Sequence, residues 1–270
     1  MARSLRPNPP AGNFLTARIV NTDILRASTV SEIVNQLPGA IPVFEKLHID
    51  YCCNGRLPFA EACQRANVNE ADVLAALSQA PPVASSAIRP HDWSLDLLTN
   101  YIVQNHHQYV KRCLPELESL ADKVFAKHGV NHPELTEVRE LVHTLAKDLH
   151  AHMYHEEHVL FPTINALVKE CARILPEPDP GTRILHNLDP VVVTLENEHD
   201  LAGHSLHRLR EVTENFLLPP DACNAFTALY KKLQEFETDL HLHVHLENNL
   251  LFPKTLALQA RQQEKPLYVN

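Results

Sequence analysis

Asp148-Leu-His-Ala-His152-Met-Tyr-His-Glu156-Glu-His-Val-Leu-Phe-Pro162 returns 91 residues later as Asp239-Leu-His-Leu-His243-Val-His-Leu-Glu247-Asn-Asn-Leu-Leu-Phe-Pro253. Both copies reduce to D-L-H-x-H-x3-E-x3-L-F-P, a match too extended for chance. A weaker echo pairs Asn105-His-His107 with Asn197-Glu-His199, at a shift of 92. Each half of the repeat therefore reads as one helical hairpin, with a histidine on its first helix and His-x3-Glu on its second. Apolar residues at three-and-four spacing extend the helices over Leu95 to Lys127, Pro133 to Cys171, Asp189 to Leu217 and Pro220 to Gln262. No strand-like alternation appears. The expected fold is all-α: an up-down four-helix bundle made of two similar hairpins.

Residues four apart on a helix share a face about one turn apart, so His152 with Glu156 and His243 with Glu247 can each reach a common centre. Adding His107 and His199 gives four imidazoles and two carboxylates, a donor set suited to two first-row metal ions bridged by carboxylates inside a bundle. Iron is the leading candidate and manganese also fits. A structural zinc site would be tetrahedral and richer in cysteine, and no C-x2-C spacing occurs. His106 is turned about 100° from His107 on a helix, so only one of the two can face the centre, and the hairpin spacing selects His107. Asp148 and Asp239, four residues before the inward histidines, are expected to accept from their imidazole N–H groups. Glu157, His155 and His158 align with Asn248, Leu246 and Asn249 and read as pocket rim or solvent-facing. His150 and His241 point largely away and read as structural. Pro162 and Pro253 are expected to kink their helices.

Composition narrows the setting. Of 270 residues, 18 are histidine, and the net charge of −9 with no Lys/Arg cluster argues against nucleic acid as a partner. No apolar run approaches the ~20 residues that span a bilayer, so no membrane role is expected. The six cysteines, Cys52, Cys53, Cys63, Cys113, Cys171 and Cys223, are scattered as reduced thiols of a cytoplasmic protein would be. Punctuation by Pro and Gly divides the chain into a leader (1–18), a small helical domain (19–80), a linker (81–93), the bundle (94–262) and a tail (263–270). The small domain is expected to hold helices over Ser31 to Leu37, Ile41 to Leu47, Phe59 to Ala66 and Glu70 to Ala80, with Asn69 as an N-cap.

Asp50-Tyr51-Cys52-Cys53-Asn54-Gly55, followed by the His…His-x3-Glu…His…His-x3-Glu bundle, resembles the iron-sulfur cluster repair family, the RIC or ScdA-type di-iron proteins. The bundle alone also resembles hemerythrins. The resemblance implies a hemerythrin-like bundle in which His107, His152, Glu156, His199, His243 and Glu247 ligate iron, with both glutamates bridging. It further implies two iron ions per chain in a μ-oxo or hydroxo-bridged centre, a functional role for Cys52 and Cys53, a homodimer and a cytoplasmic location. The implied activity is a part in restoring iron-sulfur proteins damaged by nitric oxide or oxidants. Coordination by imidazoles and shared carboxylates without thiolates would leave iron exchangeable, so the expected mechanism is donation to damaged or apo clients, with the linker letting the Cys-Cys domain move. Nitric oxide reduction at the centre, and hemerythrin-like binding or sensing of O2 or NO, are the rival readings.

Overall fold

The computed structural model describes residues 22–80, 90–172 and 187–263, and the leader of residues 1–18 lies outside them. The small domain contains α1 (Thr22–Ala27), α2 (Val30–Gln36), α3 (Ile41–Lys46), α4 (Phe59–Arg65) and α5 (Glu70–Ser78). Helix α1 was not expected, since six residues are too few for a periodic signal; it packs on α4. Thr29 begins α2 with a reciprocal cap: its hydroxyl accepts from the Glu32 amide, and the Glu32 carboxylate accepts from the Thr29 amide at 2.8 Å. Asn69 caps α5 by accepting from the Ala71 and Asp72 amides. Ile33, Phe44, Tyr51, Phe59 and Leu77 fill the core between these helices. Full burial of side chains of this size stabilises by about 1.5–3 kcal/mol each.

The larger unit is built from α6 (Leu95–Tyr101), α7 (Gln108–His128), α8 (Glu134–His155), α9 (Phe161–Ala172), α10 (Asp189–Val212), α11 (Asn224–Leu246) and α12 (Phe252–Gln263). Helix α7 packs on α8 and α11, and α8 packs on α10. Among the described residues no strand forms; an isolated bridge joins Thr29 and Pro58. No helix among them is long and apolar enough to cross a membrane. The third bundle helix stops at Val212 instead of Leu217, because Glu214, Asn215 and Phe216 turn with positive φ. The fourth begins at Asn224 instead of Pro220, because Pro220 and Asp221 are taken up by a turn in which the Ala222 amide donates to the Pro219 carbonyl at 3.0 Å.

Three π-helical turns, Ile102–His107, Glu156–Leu160 and Glu247–Leu251, interrupt the long helices. Pro162 and Pro253, where kinks were expected, stand at the second residues of α9 and α12, just after two of these widened turns. Widened turns of this kind re-aim side chains and gather at functional sites. Two apolar cores flank these turns. Leu114, Leu117, Leu145, Leu149, Leu229 and Leu233 lie in one, and Leu98, Ile102, Leu160, Ile164, Leu250 and Phe252 in the other.

The end of the expected linker belongs to the bundle: Pro90–Asp92 forms a 3-10 turn, and the Trp93 ring meets Tyr101 at 4.8 Å. Residues 81–89 lie outside the described residues. Rather than standing free, the Cys-Cys segment rests on the bundle. Asn249 Nδ2 donates to the Tyr51 and Cys52 carbonyls at 3.2 and 3.0 Å, and the Tyr51 hydroxyl donates to Glu45 at 2.8 Å. His241 Nδ1 meets the same Glu45 at 2.9 Å, and Arg56 meets Glu196 at 2.6 Å. Gly55 is required at this seam. A Cβ there would fall 2.5 Å from the Asn249 side chain and 2.8 Å from the Tyr51 carbonyl oxygen.

Candidate metal centre

Between the two apolar cores, six buried polar side chains converge. Their ligand atoms form two overlapping groups, His107, Glu156, His243, Glu247 and His152, Glu156, His199, Glu247, each with all atoms within 4.8 Å of one another. Glu156 Oε2 lies 3.3 Å from both His107 Nε2 and His152 Nε2. Glu247 sends Oε1 to His243 Nε2 at 3.0 Å and Oε2 to His199 Nε2 at 3.2 Å. The two carboxylates therefore span both groups.

The outward nitrogens fix the tautomers. His107 Nδ1–H donates to Glu157 at 2.8 Å, His152 Nδ1–H to Glu198 at 2.7 Å, and His199 Nδ1–H to Asn248 at 2.8 Å. A neutral imidazole with its proton on Nδ1 presents a bare lone pair at Nε2. Yet His152 Nε2 and His199 Nε2 approach to 2.9 Å, and His107 Nε2 and His243 Nε2 to 3.1 Å. With neutral rings two lone pairs face each other at the first gap; at the second, His243, whose Nδ1 has no partner, turns its Nε2 to both His107 and Glu247 Oε1, the latter at 3.0 Å, and both gaps lie beside carboxylates buried from solvent. Both oxygens of Glu156 lack a hydrogen-bond donor. Such a cluster calls for positive charge, as protons or as cations. Burial alone would lower the basicity of His107 and His199, but Glu156 and Glu247 raise them to about 10 and about 9. Nitrogen and oxygen donors in two linked sets fit a pair of first-row metal ions.

His107 is the member of its pair that faces inward; His106 Nδ1–H turns to Asp239 at 3.1 Å. Asp239 therefore serves His106 and not His243, and Asp148 is exposed, away from His152. Both expectations for these aspartates are corrected: a residue four positions earlier shares the general face but not the direction of the histidine. Glu157, read as rim, and its repeat counterpart Asn248 are the acceptors that orient His107 and His199. Glu198 orients His152. The common signal, an acceptor immediately after each inward glutamate, is hidden in the repeat because its two copies differ in residue type. His150 bonds the Ala146 carbonyl of its own helix, and His241 serves the domain seam.

Asp50 shapes the Cys-Cys turn, accepting from the Cys52 and Cys53 amides at 3.0 Å each and from Asn54 Nδ2 at 2.7 Å. Cys52 and Cys53 are free thiols, and their sulfurs lie 3.9 Å apart. Cys53, burial and the Asp50 charge together push the Cys52 thiol well above its usual range, which keeps it protonated at neutral pH. Cys53 Sγ lies 3.8 Å from the carbonyl oxygen of His199, within the shell around the buried cluster. A cavity of about 280 Å³ opens beside the pair, lined by Asp50, Cys52, Cys53, Asp200, His204 and His241 among others.

Residues 26–81 match the family described as ScdA_N, a domain of unknown function (DUF542), and residues 99–255 match the hemerythrin HHE cation binding domain. The iron-sulfur cluster repair protein YtfE of Yersinia pseudotuberculosis serotype IB (strain PB1/+) is 31% identical over 234 residues, covering 86% of this chain and 97% of that protein. The protein of the same name from Yersinia pestis (strain Pestoides F) matches with the same identity and coverage.

Proposed function

The chain belongs to the family of iron-sulfur cluster repair proteins that couple an ScdA_N domain to a hemerythrin HHE bundle, and from that premise we propose that it repairs clusters damaged by nitrosative or oxidative stress by donating iron. In this reading two iron ions per chain are held by His107, His152, His199 and His243, with Glu156 and Glu247 shared between them. The observation that carries it is the convergence of four imidazole Nε2 atoms, paired at 2.9 and 3.1 Å, on two carboxylates buried from solvent. Bound iron supplies both the metal to be delivered and a ferrous/ferric couple.

The residues of this chain perform the rest. Glu157, Glu198 and Asn248 hold His107, His152 and His199 with Nδ1–H outward and Nε2 toward the centre, where a bound cation would displace the protons that Glu156 and Glu247 favour on His107 and His199. The donor set contains no thiolate, which leaves iron exchangeable toward the sulfur-rich sites of a client. Asp50, Cys52 and Cys53 offer three ligand atoms within 4.8 Å of one another and serve as a staging point for iron on its way out. The client is a damaged or apo iron-sulfur protein, met in the cytoplasm by a homodimer of this chain.

The test loads the protein anaerobically with isotopically labelled ferrous iron and mixes it with a nitrosylated cluster protein. Label is expected in the rebuilt cluster, with loss of transfer in the His152→Ala, His243→Ala variant and slowed transfer in Cys52→Ser, Cys53→Ser. Full repair by the histidine variant would refute donation from this centre. Stoichiometric nitrous oxide without label transfer would replace donation by nitric oxide reduction.

A further inference from the structure

A second constellation of metal-binding side chains lies where α7 ends and α11 begins. Helix α7 separates it from the central cluster by 21 residues, roughly 30 Å along the axis at 1.5 Å per residue. His128 is the last residue of α7, and the chain folds back so that the His132 amide donates to the His128 carbonyl at 2.9 Å. Both imidazoles pack on Phe226, at 5.4 and 5.6 Å between ring centres. Asp221 comes from the turn before α11. One ligand atom from each of His128, His132 and Asp221 lies within 4.8 Å of the others.

Three details distinguish this group from a simple ion pair. His132 Nε2 meets the Asp221 carboxylate at 3.0 Å while its Nδ1 meets Glu134 at 3.1 Å, the carboxylate–imidazole arrangement that backs metal-bound histidines. His128 is 7% exposed, and its Nε2 is buried with no hydrogen-bond partner. Its Nδ1 stands 4.0 Å from Asp221, beyond hydrogen-bonding length. A proton on His132 would complete its own pair with Asp221 and leave His128 Nδ1 unbonded to that carboxylate, whereas a cation between the three would engage all of them, His128 through Nδ1. At the N-cap of α11 the Cys223 thiol borders the group, held at about 7 by the Phe226 amide and by His128.

We propose that His128, His132 and Asp221 bind a divalent transition-metal ion of the zinc class, independent of the central cluster. Two imidazoles and one carboxylate, with a position left for water or a neighbouring donor, is a donor set zinc accepts. The ion would tie the end of the first bundle helix to the start of the fourth, and binding would raise the melting temperature with ion concentration. The site does not depend on cluster repair being the protein's activity.

The test titrates zinc into iron-loaded full-length protein by calorimetry, with iron content measured before and after. One zinc per chain is expected, with iron unchanged. Asp221→Asn, an exposed and structurally mild change, should weaken zinc by at least about tenfold, the effect of losing even an outer partner at a metal site. His128→Asn, His132→Asn should abolish uptake while retaining iron, which also reports that the bundle has folded. Absence of zinc uptake by the wild type, or equal uptake by wild type and both variants, would overturn the proposal.

Discussion

The half of the central cluster formed by His107 and His243 and the half formed by His152 and His199 draw on the same Glu156 and Glu247, yet their outer partners differ. His107 is backed by Glu157, itself gripped by Lys111 at 2.7 and 2.8 Å. His243 Nδ1 is buried without a partner, and its ring lies parallel to His106 at 5.6 Å. On the other side His152 is backed by the more exposed Glu198 and His199 by the neutral Asn248. The Cys-Cys segment also meets the halves through different contacts, Cys53 at the His199 carbonyl and Arg56 at Glu196 on α10, and the Tyr51 carbonyl at His245 on the helix that carries His243. The repeat keeps what faces inward and changes what stands behind it, so the two proposed ions are expected to differ in affinity and in access.

Removing a shared residue should abolish the comparison altogether. Glu247→Ala is expected to cost both ions, whereas His199→Ala should cost chiefly one, as read by metal analysis of anaerobically loaded protein. Equal losses would mean that the halves do not bind separately. Outer partners come next: Glu157→Gln and Glu198→Gln should each weaken ferrous iron by roughly 10–100-fold at one half only, measured by chelator competition. If either variant weakened both ions alike, the outer shells would not be independent. Gly55→Ala should force the Cys-Cys segment off Asn249 and destabilise by about 1–3 kcal/mol, seen in thermal melts, while opening the His199 side to chelators more than the His107 side. Arg56→Ala is the smallest change, about 0.2–1 kcal/mol, because the pair with Glu196 is partly exposed. A larger effect would show that this single contact holds the domain down.

The inward set was legible because helix geometry ties sequence spacing to direction: His152 and Glu156 must share a face, and the repeat marks the same pair as His243 and Glu247. Helix positions within the bundle followed from apolar periodicity for the same reason. The outer shell was not legible. Glu198 reaches His152 across two helices, a contact no local spacing encodes, and Glu157 and Asn248 do one job with different residue types. Asp148 and Asp239 looked suitable from spacing alone, but small rotations along the helix send one to solvent and the other to His106. The docking of Asp50 to Gly55 against α11 depends on Asn249 and His241 meeting residues nearly 200 positions earlier, which only the folded chain brings together.

The most direct test of the shared two-ion centre is Mössbauer spectroscopy with metal analysis on anaerobically iron-loaded protein, wild type against Glu156→Ala, Glu247→Ala. The proposed centre predicts a coupled pair of irons in the wild type and none in the variant. Isolated single irons in the wild type, or iron retained without both carboxylates, would contradict it.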